Sequence, residues 1–183
     1  MKNYLFALLI FFTATALAQT DTRIYDIIQK VSAKNIEADI TTLANFGTRN
    51  TFSDTLSSTR GIGAARRWIK AEFQQISSNC TDCLEVFYQK DLVKAATSKR
   101  VPKDTWVVNV VAIQKSKTGS NRYIIISGDI DSRNSDGSDF TKDAPGANDN
   151  ASGMAGAIEA ARVLSSYEFD ANIVYLGLSG EEQ

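Results

Sequence analysis

Two short, unbroken apolar runs, over residues 122–128 (Tyr123-Ile124-Ile125-Ile126) and 172–178 (Ile173-Val174-Tyr175-Leu176), bracket a stretch where Met154, Ala157, Ile158, Ala161 and Leu164 recur at threes and fours. Apolar runs of this length, rich in β-branched residues, read as strands buried on both faces of a parallel sheet. The periodic stretch between them reads as a crossover helix, so 122–178 predicts a βαβ unit. Upstream, 84–89 and 105–113 read as two more strands joined by a polar loop over 91–104. Ile62, Ala65, Ile69, Phe73 and Ile76 predict an amphipathic helix over about 61–77, with Arg66, Arg67 and Lys70 on its solvated side. Ile24, Ile27, Ile28 and Val31, then Ile36, Ile40 and Leu43, predict two packing helices, with Asn35 as the break or cap between them. No repeat or linker interrupts this pattern, so the expectation is one α/β layer structure. Two parallel strands with one crossover leave a sheet edge open, which predicts that the sequence is the front part of a longer domain.

Sites in open α/β sheets form outside the carboxyl ends of the strands. Those ends carry Asp129 and Asp131 after the first run and Glu181 and Glu182 after the second, while Asp149 sits just ahead of the helix. Five carboxylates on one edge repel one another unless a cation lies among them, which makes the edge a candidate metal site. Solvated loop acids are the alternative. Arg49, in the turn Phe46-Gly47-Thr48-Arg49, reads as a structural loop arginine rather than a site residue.

Composition removes several classes of function. The chain has 183 residues, a net charge of −1 and no histidine. Near-balanced charge argues against a nucleic-acid partner, which needs a basic face. The lack of histidine removes the usual triad base and the commonest transition-metal ligand. Residues 1–18 hold one early cation (Lys2), an apolar stretch over 5–12 and the small-residue site Ala16-Leu17-Ala18. They read as a signal peptide, giving an exported protein, periplasmic or extracellular, with no stable membrane anchor. Cys80 and Cys83, spaced C-x-x-C, then predict a local disulfide; a redox pair is the sharper alternative, and no further ligands suggest a zinc knuckle.

Three segments, taken in order, carry a resemblance. Ser127-Gly128-Asp129-Ile130-Asp131-Ser132-Arg133, Pro145-Gly146-Ala147-Asn148-Asp149-Asn150-Ala151-Ser152-Gly153 and Ser179-Gly180-Glu181-Glu182-Gln183 resemble the signatures of the secreted two-zinc exopeptidases of peptidase family M28. The turn 46–49 and the helix over 61–69 are similar to the leader that precedes this domain in secreted members. The resemblance implies a three-layer αβα fold with a mixed, largely parallel central sheet. Residues 19–104 would form a helical leader with the first strands, and 105–183 the front part of the metallopeptidase core. It also implies two zinc ions and a peptide or protein substrate, most simply an aminopeptidase reaction on N-terminal residues. Asp149 would bridge the ions and Glu182 would bind one of them. Glu181 would be the general base, and Asp131 would hold the cluster from behind. The family pattern has histidine where this chain has Asp129, a harder, anionic ligand that can shift metal preference. Two further readings stay open: a binding module on the same fold, and an acyl-transferring relative of glutaminyl-cyclase type.

Overall fold

The computed structural model describes residues 21–97 and 99–182, so the expected signal peptide and Gln183 lie outside the described residues. The described residues divide into two units, the first ending at Val31 and the second beginning at Ser32. In the first, helix α1 (Thr22–Gln29) is capped by Asp21, whose carboxylate accepts the Arg23 N–H at 3.0 Å. Of the face expected to pack, Ile24, Ile28 and Val31 are exposed and Ile27 is half-buried. Helical spacing specifies a face and leaves its partner unspecified.

The second unit contains helices α2 (Ala33–Asn45), α3 (Gly61–Asn79) and α4 (Ser152–Leu164), and strands β1 (Leu84–Val93), β2 (Thr105–Gln114), β3 (Tyr123–Asp129) and β4 (Asn172–Leu178). Ser32, rather than Asn35, starts α2: its Oγ accepts the Asn35 N–H at 3.2 Å, satisfying one of the open donors at the helix start. The sheet order is β1-β2-β4-β3, with β1–β2 and β2–β4 antiparallel and β3–β4 parallel. The expected βαβ unit is therefore present, with α4 as its crossover. One face of the sheet presents Val110, Ala112, Ile173 and Tyr175 to a core shared with Leu43, Ile69, Phe73, Met154 and Ile158 from the three helices. Cys80 and Cys83 are disulfide-bonded, clamping the exit of α3 before β1. We expect no alkylation of the native protein at either sulfur until reductant is added, as read by intact mass.

Two sequence expectations are corrected here. The run in β3 is not buried on both faces; it lies at the end of the described sheet, and Ile125 is 62% exposed. Arg66 is not on a solvated face. It is only 5% exposed, because the α3 flank that carries it is covered.

An ionic cluster ties α2, α3 and α4 together. Arg162 reaches Glu159 (2.6 Å), Asp39 (3.1 Å) and Glu72 (3.3 Å), and Glu159 also accepts the Ser32 N–H at 2.7 Å. Asp39 and Glu159 are buried, so removing the cation leaves like charges facing one another away from water. Arg162→Met is expected to cost about 2–3 kcal/mol, below the figure for a fully buried pair because Arg162 is partly exposed. Denaturant unfolding measures it.

Candidate functional site

The parallel pairing of β3 and β4 brings their carboxyl ends to one edge, with Asp129 in register with Leu178. The ladder runs one residue further, since the Ile130 N–H donates to the Leu178 carbonyl at 2.6 Å. Both chains then leave the sheet together. Asp131 follows at once and is 1% exposed; its carboxylate accepts the Thr51 hydroxyl at 2.9 Å and the backbone N–H groups of Glu181 (3.4 Å) and Glu182 (3.3 Å). A buried carboxylate held by three donors is a structural anion, satisfied without a cation. Its contact is with the backbone that presents the two glutamates, so it acts as a positioning group for them.

Asp129 and Asp149 meet this edge through the start of α4. Gly128 lets the helix approach the strand: a Cβ there would lie 2.3 Å from the Met154 nitrogen. Asn150 joins the pieces, with its Oδ1 accepting the Gly153 N–H at 2.8 Å and its Nδ2 donating to Asp129 Oδ2 at 3.2 Å. Asp149 itself is exposed in the turn Ala147–Ala151, where its φ of −118° and ψ of 97° leave helical space, and its peptide bond to Asn150 is cis.

Arg49 fixes the opposite side of this turn. It is fully buried, and its guanidinium donates to the carbonyls of Ile130 (2.8 Å), Leu43 (3.0 Å), Pro145 (2.6 Å) and Gly146 (3.0 Å). Burial lowers its pKa to about 10, which still leaves it charged at neutral pH. The structural role read from the sequence is what the structure contains.

Two of the five acids respond to their neighbours. Glu181 is held above the usual carboxylate range chiefly by Glu182, with burial, Asp129, Asp131 and Asp149 adding to it. Asp129 is raised by burial first and then by Asp131 and Asp149, against the opposing Asn150 hydrogen bond. Glu182 is drawn into an ion pair with Arg133 at the mouth of a cavity of about 330 Å³ that also exposes Phe52 and Phe140. Among the described residues no three His, Cys, Asp or Glu side chains converge closely enough to hold an ion. The electrostatic coupling reaches across longer distances than ligation does, and Arg133 holds one candidate ligand aside. The donor chemistry nonetheless fits a divalent metal: carboxylate oxygens on one edge, with Glu181 pushed towards protonation chiefly by Glu182 and Asp129 chiefly by burial and then by its neighbours, a cost to the charged forms that a cation relieves. Thr51, Asn150 and Arg133 were given no role by sequence reading. Asn150 and Arg133 lay inside the quoted motifs, whereas nothing local marked Thr51.

The sequence model of peptidase family M28 matches residues 109–183. This segment is similar to peptidase family M28. The M28 segment contains all five carboxylates. Over 163 residues the chain is 41% identical to a "probable zinc metalloprotease" of Leptosphaeria maculans, covering 89% of this chain and 37% of that protein. The chain thus spans well under half the length of that relative. Among solved structures it is similar to Fimbriiglobus ruber glutaminyl cyclase (TM-score 0.63, 17% identity, 82% of this chain and 46% of that one). It is similar also to a Zn-dependent exopeptidase from Parabacteroides distasonis (TM-score 0.62, 17% identity, 83% and 48%). At these identities the likeness is one of fold, and it bears out the α/β class expected for the M28 segment. The described sheet is mixed, with one parallel and two antiparallel pairings, so it is less parallel than the resemblance implied.

Proposed function

We propose that the complete protein is an exported zinc-dependent exopeptidase, of aminopeptidase type, acting on peptide or protein substrates. The observation that carries this reading is the placement of Asp129, Glu181 and Glu182 after the adjacent carboxyl ends of β3 and β4, with Asp149 in the turn before α4 and buried Asp131 bonded to the backbone of both glutamates. The match of residues 109–183 to the model of peptidase family M28 supports it. Asp149 would hold two ions jointly, with Glu182 and Asp129 each contributing to one. Bound there, zinc would supply a Lewis acid for the scissile carbonyl and make a water molecule more acidic. The chain's own part is proton movement: a Glu181 carboxylate oxygen takes the proton of the attacking water and passes it to the departing amine. Asp131 keeps Glu181 where it can do so.

The test uses the complete protein, with metal analysis alongside hydrolysis of an aminoacyl arylamide before and after chelation. Two zinc equivalents and chelator-sensitive release of the arylamine are expected. Asp149→Ala should lose both ions, because it removes the ligand they share. A variant that keeps two equivalents overturns the ligand assignment, and a chelator-insensitive wild type overturns the reaction.

A further inference from the structure

Beside the carboxylate edge, and outside it, lies a cavity of about 680 Å³ between the loop after Asn50, α3 and the first two strands. Its lining includes Thr51, Lys90, Lys103, Trp106, Val108 and Arg66. Arg66 is buried, yet its Nε and Nη2 have no hydrogen-bond partner. Buried polar atoms are nearly always paired, and two orphaned nitrogens on a buried cation are a costly exception. Burial lowers the Arg66 pKa to about 10, so at neutral pH the group remains a cation. Asp131 acts on it only through space and is already held by its three donors. The one acid in the lining, Asp104, is committed to Lys94 (2.8 Å) and to the Ala95 N–H (2.9 Å). The lining thus offers three cations and no free anion among the described residues.

Nε and Nη2 form the side edge of the guanidinium, two parallel N–H donors whose spacing matches the two oxygens of a carboxylate. Lys90 and Lys103 add charge without demanding a particular geometry. The cavity also adjoins the candidate site, because Thr51 lines it and donates its hydroxyl to Asp131. We propose that this cavity is a subsite for a carboxylate of the peptide substrate, with Arg66 as its bidentate partner. The proposal rests on the peptidase reading for the word substrate, and on the orphaned guanidinium edge for the word carboxylate. The carboxylate can come from an acidic side chain or from the peptide's own C-terminus, since both present the same pair of oxygens.

Three peptides sharing one N-terminal sequence separate the sources in the complete protein: a neutral free acid, its C-terminal amide, and the amide with Glu in the last position. The carboxylate-bearing form that fits is expected to exceed the neutral amide by about tenfold or more in kcat/KM, the range of a charge-assisted hydrogen bond. Whichever of the two acids shows the gain identifies the source. Arg66→Met, close to the same volume, should erase the gain and leave neutral-amide turnover unchanged. Binding of glutarate alone, followed by calorimetry, should occur in wild type and be lost in Arg66→Met, with or without metal. If wild type hydrolyses no peptide but binds glutarate through Arg66, the peptidase reading fails and the carboxylate pocket stands. Absence of glutarate binding in wild type, equal rates on acids and amide, or a preference that survives Arg66→Met overturns the subsite. The acid-against-amide comparison needs no variant, so it decides the matter even if Arg66→Met does not fold.

Discussion

Glu181→Gln in the complete protein is expected to lower turnover of an aminoacyl arylamide by about two or more orders of magnitude, the usual contribution of a general base. Metal content should be unchanged in the same preparation. The two adjacent glutamates can be separated because their side chains already diverge: Glu182 is paired with Arg133, whereas Glu181 is exposed and is affected mainly by the other acids. Their backbone donors are both held by Asp131, so the substitution leaves the turn in place. Glutamine keeps the length and the hydrogen-bonding reach of glutamate and loses the ability to accept a proton. The pair with Arg133 draws Glu182 away from Glu181, which is why one ion is not expected to draw on both residues. Loss of metal in Glu181→Gln, or turnover within a few-fold of wild type, would show that the roles of Glu181 and Glu182 have been exchanged or misassigned.

The site edge was legible because its geometry follows from rules of short range. β4 occupies the run read as a strand, β3 is displaced by a single residue, and α4 begins just after the Asp149 turn, so the positions of all five acids follow from the βαβ pattern. What those acids do could not be read in the same way. By position alone Asp131 was one more member of a cluster, and only the family resemblance set it behind the ligands; the structure shows it buried and held by Thr51 and the backbone of Glu181 and Glu182. Arg66 was misplaced although a signal was present. It stands four residues after Ile62 and three before Ile69, the same spacing that puts those two inside, and its charge alone sent it to the solvated face. Burial of a long cation is decided by what surrounds it, here the loop after Asn50 and residues of β1 and β2, and helical spacing within α3 carries no trace of these neighbours. The open β3 face is the same lesson reversed: a run apolar enough to be buried twice shows only that it can be.

Arg49→Met should destabilise the protein by about 4 kcal/mol or more, the largest stability effect expected from a single side chain described here. Replacing a whole buried ion pair with apolar groups can be neutral, but that escape is closed at this position because the partners are backbone carbonyls and stay behind. The Leu43 and Ile130 carbonyls meet the guanidinium in buried surroundings, and each orphaned acceptor costs about 1–3 kcal/mol. Those of Pro145 and Gly146 are part-buried and can turn to water, so their share is smaller. For a domain of this size the loss corresponds to a fall in Tm of roughly 10 °C, measurable by calorimetry. Arg49→Lys keeps the charge, but one ammonium cannot span the end of α2, the exit of β3 and the 145–146 loop together, so it should recover less than half of the loss. Because the Pro145–Gly146 segment leads directly into Asp149, the Lys variant should also bind metal more weakly at temperatures where it is fully folded. A Met variant within about 1 kcal/mol of wild type, the range of ordinary surface changes, would mean that this guanidinium network does not hold the Asp149 turn in place.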